Sequence, residues 1–317
     1  MRNGYIDMNN EGREMSVEKV LRLFLNYSKA KNLSKRTISY YEHRFSRFIE
    51  FLEIHEIKKI GQVNNQVVTG FILYLQNRID NPISINTVLR AVRAVLYYAM
   101  KLDYLDKFKI QMLKTPDKVK ETYTDDELKI LLEKPNLKNC DFVEYRTWVM
   151  INWLLSTGNR IRTARNVRIK DIDFNESVVL LRTVKNRKQQ IIPLTKKMLN
   201  ILTEYLQYRG GKPDDFLFSS VYQEKLSTNA VVKAMSRYNK SRGIDKTSSH
   251  LFRHTFAKLW IKNGGDIFRL QKILGHSSLD MVKNYVNMFS ADLKDNFEGY
   301  NPINNFYSKK SRLNLSD

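Results

Sequence analysis

The chain lacks what would mark a secreted, metal-binding or membrane-spanning protein. It has a single cysteine, Cys140, so no internal disulfide can form, and no Cys/His cluster has the spacing of a zinc finger. No apolar run approaches the roughly 18–20 residues that a span needs. The opening Met1-Arg2-Asn3-Gly4-Tyr5-Ile6-Asp7 holds no apolar signal core. These absences point to the cytosol. With 6 prolines and 12 glycines in 317 residues, little room is left for long low-complexity segments, and no internal repeat is found. Acidic residues are scarce as well. Asp and Glu number 33 against 54 Lys and Arg, a formal net charge of +21. Such a field attracts polyanions. No single helix carries the cationic amphipathic pattern of a membrane anchor, so no membrane partner is expected.

Hydrophobic residues make up 42% of the chain, enough for a packed core in each of one or two domains. The first half reads as helical. Val20, Leu21, Leu23, Phe24 and Tyr27 form one apolar stripe. Ser34 is a candidate N-cap for the clearest helix, in which Ile38, Tyr41, Phe45, Phe48, Ile49 and Leu52 recur at spacings of three and four. Arg36, His43, Arg44 and Arg47 share its opposite face. Two further helices fit residues 66–76 and 85–102, the latter with Arg90, Arg93 and Lys101 outward. Four short amphipathic helices make a bundle, and basic residues facing out can contact phosphate without reading sequence. Residues 114–122, with Pro116 and no apolar periodicity, read as a linker. Thr124-Asp125-Asp126-Glu127 is a capping-box pattern opening the next helix.

The second half holds the reactive groups. An apolar helix over 145–155 ends at Thr157-Gly158-Asn159-Arg160, where Gly158 suits a turn needing positive φ. A helical run is expected from Arg160 through Val167. Arg162, Arg165 and Arg168 lie nearby, and the place of Arg160 directly after the turn singles it out. Residues 177–194 read as a β-hairpin with Lys185 and Lys188 at its tip. Helices return at 198–208 and 229–239. The segment from Lys246 begins another, bearing His250-Leu251-Phe252-Arg253-His254. His250 and His254 are spaced as in a helical zinc site, but Leu251 stands where such a site has Glu, and no third ligand follows. His250 and Arg253 share a face and can converge on one anion. A short helix stops at Gly275-His276, and Tyr285 follows. Phe289, Leu293 and Phe297 continue an apolar stripe that can pack on its own domain or dock on a neighbouring subunit.

The order Arg160, Lys185, His250-x-x-Arg253, Gly275-His276, Tyr285 resembles the tyrosine recombinase (phage integrase) family. The resemblance covers nearly the whole chain. Its most specific parts are His250-Leu251-Phe252-Arg253-His254-Thr255-Phe256-Ala257 and Leu274-Gly275-His276-Ser277. It implies a mainly α protein with a small antiparallel β-hairpin or sheet. Residues 1–14 would be a flexible start, 15–113 a helical core-binding domain, 114–122 the linker, 123–300 the catalytic domain and 301–317 a polar tail. The short polar start predicts no separate amino-terminal domain for accessory arm sites. Two positions depart from the family pattern. Thr163 stands where an acidic residue is usual, which bears on how Arg160 is held, and Leu251 replaces an acidic or small residue.

The resemblance further implies the chemistry. Arg160 and Arg253 would clamp the scissile phosphate and stabilise its pentavalent transition state. Tyr285 would be the nucleophile of a 3′-phosphotyrosyl link. Lys185 would protonate the leaving 5′-oxygen. His250 would accept the tyrosine proton or bind phosphate, and His276 would donate a second hydrogen bond to phosphate. No metal and no cofactor is expected, because the cut bond's energy is kept in the protein–DNA link. The partner would be double-stranded DNA with specific sites, held as two duplexes by a homo-tetramer. Integration or excision of a mobile element, chromosome dimer resolution and DNA inversion all use this chemistry. A type IB topoisomerase and a DNA-binding protein without catalysis are the alternatives of another kind.

Overall fold

The computed structural model describes residues 12–115, 121–182 and 189–276, together with Ser278, Leu279, Val282, Lys283 and Tyr285. The expectations for the extreme amino terminus, the apolar stripe from Phe289 to Phe297 and the tail lie outside the described residues. The chain divides into two compact units, Met1–Lys118 and Val119–Asp317.

In the first unit, α1 (Val17–Ala30), α2 (Lys35–Ile54), α3 (Asn65–Gln76) and α4 (Pro82–Lys101) form the expected helices. Each starts at a side-chain cap. Ser16, Ser34, Asn64 and Asn81 accept from backbone N–H groups of the first turn, and Pro82 stands where its missing N–H costs nothing. Apolar residues at helical spacing then meet in one core. Phe45, Phe48, Phe71, Val88, Val92 and Leu96 are fully buried. Phe48 sits edge-on to Phe71 with ring centroids 4.9 Å apart. The opposite faces keep their charge. Arg36, His43, Arg90 and Lys101 are exposed, and Arg44 and Arg47 line a surface cleft with Ile79, Ser84 and Thr87.

The second unit is built around α6 (Phe142–Thr157). Its buried residues include Tyr145 through Ile151, Trp153 and Leu154, so it is buried on most sides, as a central helix must be. It is covered by α5 (Asp125–Leu132), α8 (Lys196–Arg209), α9 (Thr228–Lys240) and α10 (Ser249–Lys262). The capping box forms as read: Thr124 Oγ1 accepts from the Glu127 N–H at 3.2 Å, and Glu127 Oε2 accepts from the Thr124 N–H at 2.7 Å.

The expected hairpin is present as β2 (Val178–Leu181) and β3 (Gln190–Pro193), in antiparallel register from Val178↔Pro193 to Leu181↔Gln190. A third strand, β1 (Ile172–Asp173), pairs with β2 and was not read from the sequence. The expected helical run from Arg160 to Val167 is shorter than read. Only one turn, α7 (Ile161–Ala164), is helical. Beyond it the backbone finds partners elsewhere. The Val167 carbonyl accepts from the Leu217 N–H at 2.8 Å, and the Ile169 N–H donates to the Asp215 carbonyl at 3.0 Å. Asn166, a poor helix former, turns its amide back onto the Arg162 carbonyl at 2.7 Å.

All three tryptophans, Trp148, Trp153 and Trp260, lie in the second unit. Phe48→Ala removes a fully buried ring from the first, at an expected cost of about 3–5 kcal/mol. In urea, the far-UV circular dichroism transition should shift to lower denaturant and separate from the tryptophan fluorescence transition.

Candidate active site

Three segments converge on one guanidinium. α10 carries Arg253, which is only 4% exposed. One arm, Nη1, donates to the Gly158 carbonyl at 2.9 Å, at the end of α6. The other, Nη2, donates to the Leu274 carbonyl at 2.7 Å, at the end of α11 (Ile267–Leu274), and lies 2.6 Å from His276 Nε2. A guanidinium can only donate. His276 Nε2 therefore accepts, and the neutral imidazole carries its proton on Nδ1. Burial first, and then the charge of Arg160, push the Arg253 pKa down to about 10, so the group stays charged at neutral pH.

Both helix ends that feed this site turn on a left-handed glycine. Gly158 has φ 61° and Gly275 has φ 61°. The space around Gly158 is tight, since a Cβ there would lie 2.6 Å from Phe256 Cδ1 and 2.8 Å from Leu274 Cδ2. The turn delivers Arg160 as the N-cap of α7. Its guanidinium makes no hydrogen bond or ion pair with any described residue, and burial lowers its pKa while Tyr285 raises it. Thr163, at the place of the usual acid, is buried and offers Arg160 only a backbone link, its N–H donating to the Arg160 carbonyl at 2.8 Å. The neighbouring arginines face elsewhere. Arg165 donates to the Leu226 carbonyl at 2.5 Å and to Thr228 Oγ1 at 2.6 Å, and Arg168 to the Asp214 carbonyl.

Tyr285 belongs to a helical segment described at Val282, Lys283 and Tyr285. It is 2% exposed, and its hydroxyl lies 2.7 Å from His254 Nδ1. Its ring is parallel to that of His276, 2° between planes with centroids 6.3 Å apart. Burial raises the Tyr285 pKa, while Arg253 and Arg160 lower it by charge and Arg253 also by a side-chain hydrogen bond. His250 is exposed on α10, and desolvation, Arg253 and Arg160 hold its pKa below the ordinary imidazole value. Leu251 is buried in the second unit's core. Arg160, Arg253, His276 and Tyr285 are thus brought together, with His250 within reach of the two arginines' field.

Lys185 lies outside the described residues. The roots of its hairpin are described: Gln190 donates from its amide to the Lys272 carbonyl and, at 2.9 Å, to the Ile273 carbonyl. The strand ends that flank residues 183–188 therefore stand beside the turn that holds His276. His254 is the residue the sequence reading did not place in the site. Its signals were its place within the motif at 250–257 and its position four residues after His250 on one helix face. Among the described residues, no group of His, Cys, Asp and Glu side chains is arranged to hold a metal ion, and no helix is long and apolar enough to cross a membrane.

Gly158→Ala forces a side chain into left-handed backbone and against Phe256 and Leu274. It should destabilise the second unit by at least about 1–2 kcal/mol, read as an earlier tryptophan fluorescence transition on heating.

Comparison with known proteins agrees with this geometry. Residues 121–291 match the phage integrase family, and residues 21–102 match the phage integrase N-terminal SAM-like domain. The tyrosine recombinase XerD of Staphylococcus epidermidis is 24% identical over 293 residues, covering 89% of this chain and 98% of the relative. The tyrosine recombinase XerA of Pyrococcus furiosus is 28% identical over 288 residues, covering 90% and 95%. The Tn1549 transposon integrase, solved in complex with transposon right-end DNA, has the same fold. It matches with a TM-score of 0.70 at 21% identity, over 90% of this chain and 98% of that one. With its arginines, histidines and tyrosine gathered where these helices meet, the chain belongs to the phage integrase family, the tyrosine recombinases that cut and rejoin DNA at specific sites.

Proposed function

We propose that Tyr285 attacks a DNA backbone phosphorus held by Arg253 and Arg160, forming a 3′-phosphotyrosyl link and releasing a 5′-hydroxyl. The observation that carries this is the buried Tyr285 hydroxyl standing in the field of both guanidiniums within one polypeptide. A phosphodiester gains charge on its non-bridging oxygens as the phenol attacks. Arg160, with no hydrogen bond or ion pair to a described residue, can offer its planar fork to those oxygens. Arg253 has most of its donors engaged, so it serves mainly as a fixed charge and as a donor to the oxygen of Tyr285. His276 holds Arg253 in place through Nε2, and that nitrogen comes to phosphate by exchanging the contact. Lys185 protonates the leaving 5′-oxygen, supported by the placement of its hairpin's roots. His250 faces the phosphate.

The substrate is double-stranded DNA carrying specific sites. Residues 15–113 act as the core-binding domain, tracking the backbone with the exposed basic faces of α2 and α4, and residues 123–300 as the catalytic domain, joined by 114–122. Four copies act on two duplexes in the cytoplasm, with no metal or cofactor. Integration or excision of a mobile element is the process served. Paired repeats flanking the gene would mark such an element's ends, whereas sites at the chromosome's replication terminus would indicate dimer resolution and inverted paired sites inversion.

Duplexes selected from a random-sequence pool by the Tyr285→Phe protein, then nicked near the cut, provide the assay. The parent chain should form a covalent adduct resistant to denaturant. Tyr285→Phe should bind equally and form none, and an adduct from that variant would mean another nucleophile. Arg160→Lys should slow adduct formation by ~10²–10³-fold, because a point charge cannot replace two parallel hydrogen bonds.

DNA binding should also be linked to the His250 proton. In the free chain desolvation, Arg253 and Arg160 depress its pKa. A bound phosphate offsets the positive charges and raises it, so a proton is taken up on binding. The extra affinity is complete below the free-chain pKa and is lost as pH rises through the bound one. Affinity measured between about pH 5 and 8 should fall more steeply with pH for the parent than for His250→Gln.

A further inference from the structure

We propose that His254 is the base that takes the proton from the Tyr285 hydroxyl when DNA is cut. This rests on Tyr285 being the nucleophile. The hydroxyl has one hydrogen to give. Among its described partners, Arg253 can only donate, while His254 Nδ1, 2.7 Å away, can accept. The proton is therefore directed along the Tyr285–His254 line before any DNA is bound. For Nδ1 to accept, the neutral His254 ring carries its own proton on Nε2. His276 has the opposite arrangement, with Nε2 accepting from Arg253, and its ring lies parallel to the phenol ring. His250, one turn earlier on α10, is exposed, which leaves it to the phosphate.

The contact is built into the fold. Residues 250, 253 and 254 share one face of α10. On either side of 253 and 254 the helix register is locked. Phe252 is buried against Tyr123, with ring centroids 4.6 Å apart, and the buried Thr255 Oγ1 accepts from the Tyr123 N–H at 2.9 Å. Burial raises the Tyr285 pKa, so at neutral pH the phenol is protonated and needs a partner for that proton. In the step itself the Oη–H bond breaks and Oη–P forms. The proton goes to His254 Nδ1, giving the imidazolium. The P–O5′ bond breaks, and the 5′-oxygen is protonated by a different group, assigned above to Lys185. Religation runs this in reverse, the imidazolium returning its proton to Tyr285.

The test compares His254→Ala and His254→Asn in the full chain on the selected, nicked duplexes, with DNA affinity measured alongside. The Asn carbonyl can hold the hydroxyl by a hydrogen bond but cannot keep its proton. Both variants should bind as the parent does and form adduct ~10²–10⁴-fold more slowly. A 5′-bridging phosphorothiolate, whose leaving group needs no proton, should not restore them. Fluorotyrosine at 285, a more acidic phenol, should recover much of the loss, which a merely structural role for His254 would not allow. Parent-like cleavage by either variant, or rescue by the phosphorothiolate, would overturn the assignment. Failure of the parent to form any adduct at Tyr285 would instead remove the nucleophile, and the base with it.

Discussion

The second unit depends on an arginine buried with no carboxylate among its described partners. The donors of Arg253 are met by the Gly158 and Leu274 carbonyls and by a histidine nitrogen, all of them neutral acceptors. Hydrogen bonding makes the burial tolerable, but nothing in that set cancels the charge. The result is a fixed positive centre beneath a surface where Arg160 adds a second. Such a centre is stabilised by an anion arriving from outside. The same three contacts tie together the end of α6, the middle of α10 and the end of α11. Binding geometry and local fold are therefore one set of bonds, and a change that loosens either loosens both.

Arginine serves this chain inside as well as outside. Arg146 donates to the Ser219 carbonyl at 2.6 Å, and Arg209 donates to the carbonyls of Leu217 at 3.1 Å and Phe216 at 2.7 Å. Both are buried, as is Arg253. The excess of basic residues that pointed to a polyanion thus includes side chains that fasten loops to helices. The surface share is carried by faces such as that of α2 and α4. Electrostatic attraction over distance still follows the net charge, but individual phosphate contacts can come only from the exposed part.

Much of the architecture was legible because it is periodic. Spacings of three and four located α1 to α4, and the capping box at Thr124 located the start of α5. The hairpin was visible in the β-branched run at Val178 and Val179. What escaped was set by distant backbone. α7 stops after one turn because residues 167–169 bond to residues 215–217. β1 is two residues long, too short to show an alternation. Arg160, Arg253, His276 and Tyr285, which the fold brings together, were picked out through their motifs, since no local pattern says that residues so far apart in sequence will meet. His254 was in view, within the motif at 250–257 and as a possible metal ligand, but was given no role in the reaction. Its contact depends on where position 285 returns in space, which helix periodicity does not encode.

The buried phenol and the charged pocket it occupies belong to the same polypeptide. Under the roles proposed for these residues, cutting competence is, in genetic terms, a private property of each copy. A copy missing its tyrosine and another missing its arginines would each be deficient at the same place, and mixing the two alleles would not complement.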